Sequence, residues 1–316
     1  FRLGKDVRDW SVARAQQDLR DAGVPNESAK QYIVPILYRP FDVRYTFYTG
    51  RSRGFHCMPR PEVMRHLLTG ENLALVVGRA GSATGDEEWN IVFVAAHPVD
   101  LNIFRRGGGE VFPLRLLAET RRAQEVLFSD SGHRVNLRKE FMDALARVLG
   151  RSPAPEAVLG YLYAVLHSPA YRTRYAEFLK RDFPRVPLPP DAATFDALAQ
   201  HGMALINLHL LRDPRLQEPL CKYPVGGDHR VERVEYNAAS QRVWVNASQY
   251  FEPVPPEVWA FRVGGYQVCE KWLQERKGTP LSLDERLTYQ KMVTAIAHTL
   301  TAQQQIDTLV RQAWGW

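Results

Sequence analysis

The chain has 316 residues, of which 45% are hydrophobic and 24% charged, with a net charge of +6 and a pI of about 9.2. That is enough apolar material for a sizeable core in one or two domains and excludes a wholly disordered chain. The mild basicity permits a polyanionic partner without requiring one. No apolar run reaches the ~18 residues of a membrane-spanning helix. Cys57, Cys221 and Cys269 have the spacing of neither a disulfide framework nor a zinc site, which points to a reducing compartment such as the cytoplasm. The first residue is Phe1 and no signal-peptide pattern is present, so the chain is expected to be a piece of something longer.

Residues 7–22 have helical periodicity, broken by Gly23 and Pro25, and a second short helix is expected from Asn26 to before Pro35. From Ile36 to Gly50 the composition turns β-branched and aromatic, predicting strands. The segment after them, Tyr48–Gly54, is expected to be a hairpin tip carrying Arg51 and Arg53. RPEVMRHLL reads as a short helix. NLALVVGRA and WNIVFVAAHPV read as strands around a Gly-rich loop, and a further strand follows the triple-glycine turn at 107–109. Three helical stretches then occupy the middle of the chain, NLRKEFMDALARVLG, PEAVLGYLYAVLHSPAYRTRYAEFLKR and ATFDALAQHGMALINLHLL. Strand-like pieces return after Lys222, with a hairpin turn at the Asn-Ala-Ala-Ser of 237–240, and two helices, about 265–276 and 284–313, end the chain. The class predicted is α+β (mixed α/β), a β-rich lobe of about 32–128 and a helix-rich lobe of about 129–316 ending in long C-terminal helices.

Catalytic signatures are sparse. There is no GxxxxGK[ST] and no HExxH, and GRAGSATG lacks the strand-turn-helix spacing of a dinucleotide loop. A nuclease-like Glu-x-Lys, Glu275–Lys277, falls at the end of a predicted helix rather than on a strand beside an upstream aspartate. His66, His97 and His167 lie in or beside apolar periodic segments, the position of structural histidines. No catalytic residue and no metal ligand is assigned.

The strongest charge signal runs from Arg39 to His66. It holds Arg39, Arg44, Arg51, Arg53, Arg60 and Arg65 against Asp42 and Glu62, 6 − 2 = +4, with aromatics interleaved. Guanidinium forks suit phosphates and guanine edges, and a solvated arginine-rich edge would look the same. Arg105–Arg106, ahead of three glycines, repeats the pattern on a second turn, while Arg121–Arg122 and Arg134–Lys139 are weaker and read as solvated helix faces. Near the C-terminus, FRVGGYQV reads as strand, turn and helix. Helix amides near Gly265 could receive a phosphate, with Gln267 and Lys271 facing outward; a tight turn packed on Trp259 and Trp272 is the competing reading.

Three blocks in order resemble one family: YRPFDVRYTFY with MPRPEVMRHLL, then YLYAVLHSPAYRTRYAEFLKRDFPRVPLPP, then VPPEVWAFRVGGYQVCEKWLQERKGTPLSLDERLTYQKMV. They look like the C-terminal target-recognition region of type ISP restriction-modification enzymes and related large adenine-specific DNA methyltransferases. The resemblance covers the chain from about Tyr32 and implies a module that reads double-stranded DNA. It implies that residues 1–31 are a helical linker from an upstream methyltransferase domain of the same polypeptide, and that S-adenosylmethionine is used there, with no cofactor in this piece. Possible restriction belongs to the parent as well. On that basis Arg51, Arg53, Arg105 and Arg106 are expected as loop contacts to DNA. Arg39, Arg44, Arg60 and Lys271 are expected at phosphates, with Gly265 and Gln267 beside them. The alternative is a protein-interaction domain of the same fold without DNA reading.

Overall fold

A computed structural model describes residues 5–7, 9–79, 89–105, 108–117 and 134–316. The fold is mixed, as the sequence predicts. The opening helix α1 (Val12–Asp21) starts at Ser11, whose hydroxyl accepts the Arg14 amide. A 3-10 turn over Glu27–Tyr32 leads into the antiparallel pair β1 (Ile33–Arg39) and β2 (Asp42–Phe47). Their connection is Pro40–Phe41, with Phe41 in the left-handed region at φ 63°. The predicted tip at Tyr48–Gly54 is therefore at the opposite, open end of the hairpin. Pro40 and a left-handed Phe41 make the tighter turn, and the chain leaves β2 there to fold back over α1.

Helix α2 (Pro61–Met64) follows, then β3 (Ala74–Gly78), β4 (Val92–Ala95) and β5 (Gly109–Pro113), ordered β4-β3-β5 and antiparallel throughout. All of β4 is buried, which its unbroken apolar run dictates. Two short strands, β6 (Arg115–Leu116) and β7 (Arg134–Val135), pair beyond it. The predicted loop at 80–88 and the Arg121–Arg122 pair lie outside the described residues.

The helical part holds α3 (Lys139–Leu149), α4 (Pro155–His167), α5 (Pro169–Arg174), α6 (Ala176–Leu179) and α7 (Ala192–His209). The single helical stretch read over 155–181 is thus broken. Ser168 precedes Pro169, which disfavours helical backbone there. It sits extended at φ −72°, ψ 123° and caps α5 with its side chain. Helices α4 and α7 cross at glycines: a Cβ on Gly202 would lie 1.8 Å from the Gly160 carbonyl oxygen, and one on Gly160 2.5 Å from that of Ala199.

A three-stranded antiparallel sheet of β8 (Glu235–Asn237), β9 (Arg242–Trp244) and β10 (Tyr250–Phe251) then forms, with the Asn-Ala-Ala-Ser turn where the sequence put it. Helix α8 (Pro256–Trp259) leads to a two-residue hairpin, β11 (Arg262–Val263) and β12 (Tyr266–Gln267), then α9 (Val268–Gln274) and the 32-residue α10 (Leu283–Trp314). A capping box between Ser282 and Glu285 starts α10.

Buried side chains form one contiguous cluster that draws on both the sheets and the helices. At the seam, Phe41 and Phe93 pack on His209 of α7, with ring centroids 5.3 and 5.1 Å away. His209 is fully enclosed. Thr299 donates its hydroxyl to the Ala295 carbonyl, so it accepts from His209 Nε2, and His209 Nδ1 accepts from the Tyr163 hydroxyl. Burial, then the nearby Arg172 charge, holds this imidazole down to about 3. No helix among the described residues is long and apolar enough to cross a membrane.

Candidate nucleic-acid interface

The predicted cations fall into two sets. The first set is bonded within the protein. Arg39 donates to Asp100 at 2.7 Å and is only 11% exposed. Arg44 directs Nε and Nη2 at one oxygen of Asp42, at 3.0 and 2.8 Å. Arg51 pairs with Asp21 and approaches Asp18 at 3.6 Å. Lys271 pairs with Glu275 at 2.5 Å, so Glu275 is held by Lys271 and by the Tyr38 hydroxyl rather than set beside Lys277.

Several of these groups meet in one place. The Arg39 guanidinium lies 3.9 Å from the Tyr38 ring centroid and 5.4 Å from that of Tyr266. Arg44 lies 4.2 Å from Tyr38, and Lys271 5.3 Å from Tyr266. The first hairpin and the C-terminal glycine turn, more than 220 residues apart in sequence, thus share a stack of cations and aromatic rings.

Beneath the stack Asp42, 1% exposed, accepts Arg276 at 2.8 and 3.2 Å. Arg276 also reaches Glu285 at 2.9 Å and lies over the Trp272 ring at 3.4 Å. Burial alone would raise the Asp42 carboxyl, but the bonds from Arg276 and Arg44 outweigh it and hold the group below its ordinary range. The sequence reading counted Asp42 only as a charge to subtract and passed over Arg276. The one available signal was an acid directly after a Pro-Phe turn.

The glycine turn differs from its predicted geometry. Gly264 and Gly265 link two short strands, and α9 begins only at Val268. Gly265 N–H donates to the Phe104 carbonyl at 3.3 Å. Gly264 sits at φ 58°, where a Cβ would come within 2.8 Å of that same carbonyl oxygen. Glycine is required here by close approach as well as by backbone sign. Gln267 caps α9: its side-chain oxygen accepts the Glu270 amide and its amide nitrogen donates to the Trp259 carbonyl. The Gly265, Val268 and Glu270 amides already donate to the Phe104 carbonyl, the Phe261 carbonyl and Gln267 Oε1, and Tyr266 donates to the Asn102 carbonyl at 3.2 Å, so the turn braces the 102–105 loop.

The second set is different in kind. Arg53, Arg60 and Arg105 are exposed, and each has left-handed backbone, at φ 57°, 50° and 74°. Among the described residues none of the three is in an ion pair. Left-handed backbone is disfavoured for a residue with a Cβ and persists where surroundings impose it. The Arg53 amide donates to the Cys57 carbonyl at 2.9 Å, and the loop around it is held by Asp18 of α1, 2% exposed, which accepts the Thr49 hydroxyl and the Phe55 amide, both at 2.8 Å. Arg60 is the N-cap residue of α2. Arg105 closes the 102–105 turn against Gly264 and Gly265. Arg106 lies outside the described residues.

Arg60 lines a cleft of about 340 Å³, and Arg105 is not among its lining residues. Met58, Arg60 and Glu62 form one lip, and Asp100, Leu101 and Gly108–Val111 form the other. His66 and His167 are structural: His66 Nδ1 accepts the Leu117 amide at 2.9 Å, and His167 donates to the Tyr163 carbonyl, whereas the buried Nδ1 of His97 has no hydrogen-bond partner among the described residues. Cys221 and Cys269 are buried as free thiols, and burial raises Cys269 to about 12.

Residues 1–307 match the type ISP C-terminal specificity domain. No curated protein matches the chain. Among solved structures, it resembles the ATP-dependent type ISP restriction-modification enzyme LlaBIII bound to DNA, with a TM-score of 0.68 at 17% identity over 94% of this chain and 20% of that one. A DrdV–DNA complex gives 0.63 at 22% identity over 89% and 28%. A nuclease-deletion mutant of the type ISP enzyme LlaGI with a DNA substrate mimic gives 0.60 at 19% identity over 90% and 21%. At these identities the likeness is one of fold. The chain spans between a fifth and three-tenths of each of those chains.

Proposed function

This chain belongs to the family of type ISP C-terminal specificity domains, and we propose that it reads a target sequence in duplex DNA for a larger restriction-modification enzyme. The observation that carries the proposal is the family match over residues 1–307. Its support from structural neighbours is that proteins of this fold have been solved on DNA. Methylation of adenine, with S-adenosylmethionine as donor, would be performed by upstream polypeptide outside this chain, and any cleavage likewise.

The residue geometry suits that division of labour. Specific reading needs side chains held in register by a rigid scaffold. The exposed cations here sit on turns braced by a buried carboxylate, a glycine turn and the proline-initiated start of α2. Arg53 and Arg105 keep their charge available for backbone contacts.

Binding of the 316-residue chain to duplex DNA tests the proposal, with affinity measured between about 50 and 200 mM salt. Counterion release predicts a linear fall of log affinity with log salt. Charge reversal at Arg53 and Arg105 should weaken binding and leave the melting temperature unchanged. One observation favours the protein-interaction alternative: Arg39, Arg44, Arg51 and Lys271 are already neutralised by internal carboxylates. A folded chain that binds no duplex at 50 mM salt would decide for it.

A further inference from the structure

The cleft lined by residues 58–64, 99–101 and 108–111 has the wrong charge to grip a phosphate. Arg60 is its exposed cation, while Glu62 and Glu110 are exposed carboxylates on the same walls, and neither is in an ion pair among the described residues. Asp100 is occupied by Arg39. Two free carboxylates beside one guanidinium repel a phosphodiester. They do suit the edge of a base pair, which presents donors and acceptors together. Guanine offers O6 and N7 to a guanidinium fork, and cytosine offers an N4 amino group that a carboxylate accepts. The lip also exposes apolar surface, with Met58 52% and Leu101 54% exposed, which would suit a thymine methyl at a neighbouring pair rather than the G·C pair itself.

The backbone supports the same reading. Arg60 sits at φ 50°, ψ 56° as the N-cap of α2, and its side chain caps nothing. A glycine, asparagine or aspartate would serve that position better locally. Pro61 directly after it fixes the start of α2, so Arg60 and Glu62 leave one rigid turn two residues apart.

We propose that this cleft is a base-reading site for G·C pairs, in which Arg60 donates to guanine O6 and N7 and Glu62 accepts from the cytosine amino group. The inference rests on the DNA-reading function proposed above and adds residue roles and base chemistry to it. Arg60, grouped with the phosphate contacts in the sequence reading, moves to a specificity role.

The test is selection from a randomised duplex library by the 316-residue chain, by Arg60→Lys and by Glu62→Gln, with salt dependence measured on unselected DNA. Arg60→Lys keeps the charge and removes the fork. The unaltered chain is expected to enrich at least one G·C position. Arg60→Lys should lose about 5- to 150-fold of the discrimination there, with an unchanged salt slope. Glu62→Gln should relax the preference at a cytosine while binding unselected DNA at least as well. Unaltered preferences in both variants would overturn the proposal, as would an equal loss of affinity on every sequence, the mark of a phosphate contact. Sequence-blind binding by the unaltered chain would overturn it and leave duplex binding intact. Absence of duplex binding would remove the underlying function as well. Thermal melting of each variant, expected within about 2 °C of the parent for exposed side chains, separates these results from misfolding.

Discussion

The crossing of α4 and α7 and the arginine loops represent opposite uses of backbone. At the crossing two glycines let helices touch with no side chain between them, and the polar groups nearby, Tyr163, His209 and Thr299, bond one another. In the loops, residues with long side chains occupy left-handed conformations that glycine would occupy more readily, and their charges are left open to solvent. One region is built for cohesion, and the other holds exposed arginines in left-handed backbone that its surroundings impose. The contrast sets Arg60 apart from Arg44, which charge count does not, although Phe41, Leu211, His229 and Gln241 share its left-handed backbone.

The largest expected effect tests whether cohesion extends to the first hairpin. Asp42→Ala should destabilise the chain by about 3 kcal/mol, the lower end of the range for breaking a buried ion pair, because Arg276 keeps Glu285; chemical denaturation measures it. Gly202→Ala comes next. The helix gains up to about 1 kcal/mol of propensity, but a Cβ 1.8 Å from a backbone oxygen forces the helices apart. A net loss of about 2 kcal/mol is expected by the same measurement.

A third prediction uses pH. His209 is depressed to about 3 when folded, against about 6.5 when unfolded. Its contribution is therefore complete above pH 6.5 and is lost as pH falls from there toward 3, where the unfolded chain binds one proton more. His209→Gln should remove up to about 1.4 kcal/mol per pH unit of slope in that window, read from melts across pH. The smallest effect has the opposite sign. Arg60→Gly should raise stability by up to about 1 kcal/mol while abolishing the preference for a G·C position. A destabilised Arg60→Gly would erase the contrast between the two regions.

Much of the fold was legible in the sequence. The helices of the middle of the chain, the turn at 237–240 and the long C-terminal helix follow from periodicity and turn residues, all local properties, although Ser168 breaks the stretch read as continuous. What escaped were features that depend on distant partners. The Tyr48–Gly54 segment has the composition of a hairpin tip, but the Asp18 carboxylate captures it. The Gly264–Gly265 pair looks like the mouth of a helix, but the Phe104 carbonyl occupies its amide. The candidate site was legible as a list of arginines and not as a partition, because Asp42, Asp100, Asp21 and Glu275 choose their partners through space. Glu62 was visible only as a charge to be subtracted, and its position in the cleft gives it a different meaning.

The Arg276 clamp has a consequence for how such a module can be recombined. It fastens the start of the second strand at Asp42 to the junction between α9 and α10 at Arg276, so two segments about 230 residues apart in sequence are tied together. A chimera that grafts the first hairpin from a relative while retaining its own tail would separate a buried acid from the base that matches it. Exchange of binding preference between relatives should therefore succeed when both segments travel together, or when only the lips of the cleft are replaced and the clamp is left whole.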